Sequence, residues 1–515
     1  MVPCAVALAL AAAEGAPPAG GAPVAGGTLE AIRGRGELRW GSDALGGAPY
    51  VFQDPMDPNH LVGFEVELAE AVGGRLGVRA RQVDGAWDKL LELLARGDFD
   101  VALNGVEVAE EKRRVCLLGR PYYAAAERLT VRRGDPRAPR TLEALAGRRV
   151  GTLPGSLAER ILRRAGAEVL TYAAQNDIYE DLRLGRSDAV LLDEPIARYY
   201  GDIQPELETL SESFGEVRYA IALRPGDEAL RDALDAALGE LARSGGLRAL
   251  YERWGIWNPE TAALLGDLRP PRRGAVAEAW EAWRSAVGRP PSLRERLTDR
   301  YPRTLWLFAR GAGLTLLLSA ASMALAVALG AGLAVMRRYG SRPARLAAVG
   351  YIELVRGTPL LVQLTMIYFG LPELGLRLHP FAAGWLALGL NYAAAEAENY
   401  RAGLESVPAG QGEAARALGL SRGQILRHVV APQAIRISLP PMTSDFLALL
   451  KDSSLVSIVT LTELTKTYTN LATSMRDHLG LGVVVAAWYL VIGLPVARLG
   501  RALEARLGRH LRRAP

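Results

Sequence analysis

Cysteine is nearly missing from this chain of 515 residues: Cys4 and Cys116 are the only two. That excludes a disulfide framework. Histidine is also scarce, with His60, His379, His428, His478 and His510 scattered singly. No cluster has metal-ligand spacing, so neither a metal nor another cofactor is expected. Lysine is confined to Lys89, Lys112, Lys451 and Lys466, a bias assigned to overall composition before function. No Gly-x-x-x-x-Gly-Lys-Ser/Thr occurs, so the chain does not cradle nucleotide phosphates by a P-loop. No nucleophile–base pair stands out either, and catalysis by this chain is not expected. Composition excludes disordered, collagen-like and disulfide-rich secreted classes.

What is present is unevenly spread. Hydrophobic residues make up 50% and charged residues 23%, an ordinary average. The first half alternates short apolar runs with charge, whereas the last part holds long uncharged stretches suited to lipid. Net charge is +5, from 61 basic and 56 acidic residues. Many arginines cluster beside the apolar runs, where positive-inside topology explains them better than nucleic acid, and no nucleic-acid partner is expected. Residues 4–13 form an apolar run of signal-peptide length, followed by a Gly/Pro/Ala-rich stretch to Gly27. Met1-Val2-Pro3 lacks the basic start of an export signal, so 1–27 reads as a signal-like leader for export or, alternatively, as a disordered leader or a misassigned start codon.

From 28 to 257 strands and helices alternate. Glu37-Leu38-Arg39-Trp40 reads as a strand, 63–72 as a helix ended by Gly73-Gly74, and 87–94 as a helix stopped by Gly97. Asp100-Val101-Ala102-Leu103 is a buried strand ending at Asn104-Gly105. Arg149-Val150-Gly151-Thr152 is a strand, Gly155-Ser156 opens a helix, and Ala189-Val190-Leu191-Leu192 ends at Asp193. This alternation predicts an α/β fold with largely parallel sheets, whose ligands gather at the carboxyl ends of strands. Ser156 offers a helix N-terminus to an anion, or is simply an N-cap. Asp193 offers a carboxylate to an ammonium group, or caps the next helix.

The ordered series Gly63-Phe64-Glu65-Val66-Glu67-Leu68-Ala69, Trp87 with Leu90-Leu91, Gly97-Asp98-Phe99-Asp100-Val101, Pro121-Tyr122-Tyr123, Leu145-Ala146-Gly147-Arg148-Arg149-Val150-Gly151, Gly155-Ser156 and Leu184-Gly185-Arg186-Ser187-Asp188-Ala189 resembles the solute-binding proteins for polar amino acids. The resemblance implies two α/β lobes of the type II periplasmic-binding-protein fold, closing like a hinge. Lobe one would be about 28–127 with 224–257, and lobe two about 128–223, with crossings near 128–132 and 217–223. It further implies that Tyr50 and Trp87 contact the ligand side chain, that Asn104 and Gly105 line the pocket, that Ser156 assists at the carboxylate, and that Asp193 takes the α-ammonium. Where the family has Thr-x-x-Arg, with an arginine gripping the α-carboxylate, this chain has Ala109-Glu110-Glu111-Lys112. Lysine is a point charge and does not replace that fork. A small hydroxyl residue is usual where Glu107 stands, and Gly46-Gly47 replace a frequent aromatic. Glu107 either faces the cleft and favours a cationic ligand or points to solvent.

Residues 258–303 read as a linker, with Pro270-Pro271-Arg272-Arg273 and Pro290-Pro291 around an amphipathic piece holding Trp280 and Trp283. That piece is expected as a helix on the membrane surface or as a packed helix in a solvated spacer. Beyond it, 304–515 reads as a membrane domain. Stretches 311–335 and 479–497 carry no charge and are long enough to span. Weaker candidates at 346–371, 380–401 and 436–461 are each broken by charge. With the soluble domain outside, arginines gather on the inner segments (Arg337, Arg338, Arg342 and Arg345, then Arg401 onward, then Arg498 onward), while the outer loops carry only Arg377, Lys466 and Arg476, which supports five spans.

Gly410-Gln411-Gly412-Glu413-Ala414-Ala415-Arg416-Ala417-Leu418-Gly419-Leu420-Ser421, continuing to Ala431-Pro432-Gln433-Ala434, is similar to the coupling loop of ATP-binding-cassette importer permeases. Glu353-Leu354-Val355-Arg356-Gly357-Thr358-Pro359 and Leu449-Leu450-Lys451-Asp452-Ser453-Ser454-Leu455 resemble the polar amino acid subgroup. The resemblance implies an all-α five-helix permease in the bacterial inner membrane, paired with a second permease chain and an ATPase dimer, with the solute-binding domain extracytoplasmic. Ala414, Ala415 and Leu418 form an apolar strip on a short helix, Gly419 allows the turn, and Gln411 and Glu413 complete the loop facing the ATPase, within a coupling loop at 410–434. Glu396, inside the third candidate span, would face the bundle interior or a substrate path. Glu398 would line that path too or pair with Arg401. A ligand-gated channel would insert its pore between the lobes with a filter such as Thr-Val-Gly-Tyr-Gly, which is not found; a sensor would need a signalling domain after the last span.

Overall fold

The computed structural model describes residues 27–269, 277–288 and 291–508. The leader, Cys4, the Pro270-to-Arg273 run and the arginines beyond 508 lie outside the described residues. The chain divides into two units. One contains the described residues up to Leu305 together with Thr469–Leu481; the other contains Trp306–Tyr468 and the residues from Gly482 onward.

In the first unit, β1 (Glu37–Ser42) buries Leu38 and Trp40, each 2% exposed. A minor ladder joins β2 (Phe52–Gln53) to β3 (Leu61–Val62). β4 (Arg79–Asp84) and β5 (Val101–Ala102) flank β1 in parallel. The long strand β6 (Leu117–Arg132) follows, then β7 (Arg149–Thr152), β8 (Glu168–Thr171), β9 (Ala189–Asp193), β10 (Leu207–Thr209) and β11 (Glu216–Leu223). The sheet runs β4-β1-β5-β11-β6-β9-β7-β8, with β10 also on β6. The first part of β6 pairs antiparallel with β11 and its last part with β9, so one strand carries the chain from one half-sheet to the other. Parallel ladders on both sides of this antiparallel centre account for the apolar runs of β5 and β9, which are covered on both faces.

Helix Phe64–Leu76 buries Phe64, Leu68, Ala69 and Val72. It does not stop at Gly73-Gly74 as the sequence suggests, but continues to Gly77, where φ is 73° and the Val78 N–H returns to Gly73 O at 2.9 Å. Gly73 serves close approach instead: a Cβ there would lie 3.0 Å from Val78 O and 3.2 Å from Ala80 N.

The fold extends past residue 257. Asn258 caps helix Pro259–Leu265 by accepting from Thr261 N–H, and the Thr261 hydroxyl donates to Ala124 O on β6. Helix Glu278–Val287 also packs on this unit. Trp283 is 3% exposed, 5.0 Å from the Phe52 ring, and donates to Tyr199 O. Of the two alternatives the packed helix is the one found, and the lipid-surface helix is not: its indole faces fill an aromatic shelf of the α/β fold. Segment Thr469–Leu481 is tied to the same unit. Ser474 Oγ accepts from Gln53 N–H, Arg476 Nε donates to Asn176 Oδ1 at 2.9 Å, and Asp477 is held by Arg296 and Tyr301, each at 2.8 Å.

The second unit is helical. Among the described residues two helices, Leu293–Tyr339 and His478–Leu503, are long and apolar enough to cross a membrane; Arg342–Arg356 and Leu360–Leu374 form a pair bent by 102°. The candidate at 346–371 is thus a broken helix, interrupted where Gly357-Thr358-Pro359 ends the ladder. Helix Pro380–Glu405 packs against Ala431–Asp452 through small residues: a Cβ at Gly403 would lie 2.8 Å from Ala434 O. Such contacts let backbones approach where lipid offers no hydrophobic drive.

Candidate functional site

Asp193 ends β9 beside Glu127 of β6, its ladder partner across the crossing. The hydroxyls of Tyr50 and Tyr219 both donate to Asp193 Oδ2 and lie 3.1 Å from each other. Asp193 makes no side-chain cap, so the capping alternative is not realised. Burial raises its pKa and the two phenolic donors pull it back. Burial with the charges of Asp193 and Glu107 also pushes Glu127 well up.

The Asn104-Gly105 turn is fixed from beneath. Glu65 Oε1 accepts from Gly105 N–H at 2.7 Å and from the Tyr122 hydroxyl, and Asn104 Oδ1 accepts from Asp43 N–H at 2.8 Å. Gly105 sits at φ +59°, with space for only a Cβ 3.4 Å from the Tyr50 ring. Trp87 Nε1 donates to Asn104 O at 3.0 Å, and Lys112 Nζ lies over the Trp87 ring, 5.4 Å from its centroid. Asn104 is therefore spent on holding the loop, while Gly105, Trp87 and Lys112 form one wall.

Ser156 is the N-cap of helix Leu157–Arg164: its hydroxyl accepts from Glu159 N–H at 3.1 Å and donates to Leu153 O at 2.8 Å. The first N–H of that helix, that of Leu157, donates to Glu107 Oε1 at 2.8 Å, while Arg160 donates to Glu107 Oε2 at 3.0 Å. Glu107 is 5% exposed and faces the cleft, so the solvent alternative falls. The structure thus gathers Tyr50, Glu107, Ser156 and Asp193 around one cleft, with Asn104, Gly105, Trp87 and Lys112 beside it. Sequence reasoning missed Tyr219, Glu127, Arg160 and Glu65. Tyr219, inside the expected crossing, and Glu65, inside the series that carries the resemblance, had a signal; Glu127 and Arg160 join partners distant along the chain.

In the helical unit Glu396 is fully buried, and neither carboxylate oxygen has a hydrogen-bond partner among the described residues. A Cβ at Gly330 would lie 2.7 Å from Glu396 Cβ. Asn399 Nδ2 donates to Asp445 Oδ2 one helix away. Glu398 pairs with Arg337 and with Arg401, the latter at 2.8 Å, so its charge is spent on ion pairs. Helix Ala409–Ala417 buries only Ala415; Gln411, Glu413 and Ala414 are exposed, and Leu418 is 81% exposed. The expected apolar strip therefore splits, Ala415 turning inward and Leu418 outward. Gly419 turns the chain at φ +83° into Arg422–Ile425, and Gln433 Nε2 donates to Gln411 Oε1 at 3.0 Å. Among the described residues no group of three or more His, Cys, Asp or Glu could hold a metal ion.

Residues 38–256 match the family model of bacterial extracellular solute-binding proteins, family 3, and residues 326–509 that of the binding-protein-dependent transport system inner membrane component. The second half is 39% identical over 193 residues to the probable glutamine ABC transporter permease protein GlnM of Bacillus subtilis (strain 168), covering 38% of this chain and 89% of that protein. The first half is 33% identical over 231 residues to the L-cystine-binding protein TcyJ of Escherichia coli (strain K12), covering 44% of this chain and 86% of that one. A crystal structure of the P235GK mutant of ArgBP from T. maritima is 32% identical, covers 44% of this chain and 99% of its own, and has a TM-score of 0.41.

Proposed function

This chain belongs to the family-3 extracellular solute-binding proteins over one half and to the inner-membrane components of binding-protein-dependent transport over the other, and on that premise we propose that it captures a polar, amino-acid-type solute outside the cell and passes it through its own membrane half, driven by ATP hydrolysis on a separate subunit. It is a fused solute-binding and permease component of the amino-acid ABC transporter kind, a membrane protein and not an enzyme. The observation that carries the proposal is that both matches lie in one polypeptide, at 38–256 and 326–509.

Relatives named for glutamine and L-cystine support an amino-acid-type ligand. In this reading Asp193 takes the ligand ammonium from the two tyrosine hydroxyls, and Tyr50 and Trp87 flank its side chain. Three buried carboxyls, Asp193, Glu127 and Glu107, favour a cationic ligand. The arginine-rich segments face the cytoplasm of a bacterial cell, the solute-binding domain lies outside it, and five spans cross the inner membrane. The exposed face of Ala409–Ala417, with Leu418, seats in a groove of an ATPase dimer, and a second permease chain completes the pathway. Glu396 contributes to the solute path.

The test is solute-stimulated ATP hydrolysis by the chain co-purified with its ATPase in lipid nanodiscs. Deleting Gln411 to Ser421 is expected to abolish stimulation while leaving solute binding intact. Full stimulation after the deletion, or loss of binding with it, would refute the assignment.

A further inference from the structure

We propose that the cleft selects an amino-acid-derived amine, a cation whose α-carboxylate is absent or masked, over the free amino acid. This rests on reading the cleft as the solute site.

The first N–H of the helix end at that cleft, and the guanidinium beside it, are already taken by an anion from within. Helix Leu157–Arg164 points its N-terminus into the cleft, and a carboxylate bonded to its first N–H is favoured by the helix dipole. The carboxylate found there is the chain's own: Glu107, reaching from the other lobe, accepts from Leu157 N–H and from Arg160. The Ser156 hydroxyl is spent on Leu153 O and Glu159 N–H and has no donor left for a ligand. A free α-carboxylate would have to displace Glu107, leaving a buried acid without partners, which is strongly unfavourable. Nor does another cation take its place. Lys112 lies against the Trp87 ring, and an ammonium has no planar fork with which to grip two oxygens.

The opposite charge is in demand. Glu127 is 2% exposed, and its Oε2 has no hydrogen-bond partner among the described residues. Its charged neighbours are Asp193, Glu107 and Arg160, the groups of the cleft itself. Asp193 and Glu127 are partners across the β6–β9 ladder, Glu127 with an acceptor to spare, and the Arg160 guanidinium that neighbours Glu127 is already on Glu107. An ammonium or guanidinium satisfies them; a zwitterion brings an extra negative charge into the same space.

The test is titration calorimetry of the purified full chain in nanodiscs against two matched pairs, L-arginine with agmatine and L-lysine with cadaverine, and against L-glutamine. Each amine is expected to bind at least about tenfold tighter than its parent amino acid. Glu107→Ala frees Leu157 N–H and Arg160, and is expected to move the ratio at least about tenfold toward the amino acid. A preference of the native chain for the amino acids, or an unchanged ratio in a folded E107A chain, overturns the inference. Should E107A fail to fold, E107Q takes its place, and the native ratio decides in any case. Binding of glutamine but of neither pair overturns this inference and leaves the proposed function standing; binding of none of the five overturns both.

Discussion

Replacing Glu65 by glutamine probes how the cleft loop is held. Glu65 is fully buried at the start of helix Phe64–Leu76, bonded to Gly105 N–H, the Tyr122 hydroxyl and Asn104 Nδ2. Burial pushes its pKa from 4.5 up to about 7, against the pull of those three donors. Because the folded value lies above the unfolded one, the stability it contributes is complete below the unfolded pKa and is lost as pH rises through about 7. At about 1.4 kcal/mol per unit the total is about 3 kcal/mol, most of it, about 2–3 kcal/mol, lost between pH 5 and pH 8. Glutamine cannot ionise, yet keeps an acceptor oxygen for Gly105 and Tyr122. The assay is thermal unfolding of the full chain, followed by tryptophan fluorescence, for both proteins at pH 5 and pH 8. The Tm difference is expected to move in favour of E65Q by about 5–10 °C between those pH values, as a domain of about 230 residues shifts by about 2–4 °C per kcal/mol. Parallel pH profiles would refute the argument.

Three further outcomes are expected. Trp283→Ala removes an indole packed against Phe52 and Tyr199 and should cost about 3–5 kcal/mol, seen as an earlier unfolding transition; an unchanged Tm would mean that the helix does not depend on this shelf. Leu418→Asp alters an exposed side chain, so Tm should hold while solute-stimulated ATP hydrolysis with the partner ATPase disappears; retained stimulation removes Leu418 from the contact. Glu396→Gln should leave solute binding intact and slow uptake into proteoliposomes by at least about tenfold, and normal uptake would take Glu396 off the solute path.

Local patterns were readable without coordinates. Apolar runs bounded by glycine located β5, β7 and β9, Ser156 announced its helix, and Gly419 its turn. The i, i+3 spacing of Glu398 and Arg401 anticipated their pairing. Legibility ended where a residue's role depends on something distant along the chain. Glu127 follows Ala124-Ala125-Ala126 and reads as the end of an apolar run; only the β6–β9 register sets it against Asp193. Glu107 was open between cleft and solvent because its partners, Leu157 and Arg160, belong to the other lobe. Gly73-Gly74 read as a stop because local propensity does not register that β4 passes close by. Trp280 and Trp283 have the pattern of a lipid-facing stripe, and an aromatic shelf satisfies the same pattern.

The attachment of Thr469–Leu481 to the solute-binding fold has a counting consequence. On the proposed reading, with that fold wholly on one side of the bilayer, a chain that leaves it at Leu305 and rejoins it at Thr469 traverses an even number of times in between. Of the four candidates in that stretch (Tyr301–Tyr339, the bent pair, Pro380–Glu405 and Ala431–Asp452), either all traverse or two do; the kinked pair cannot be the sole exception. Helix His478–Gly508, if it crosses as proposed, would then make the tally odd and bring Arg498, Arg501 and Arg506 out on the far face. Parity owes nothing to hydropathy, and under the proposed placement it would set those arginines on the face opposite the solute-binding fold.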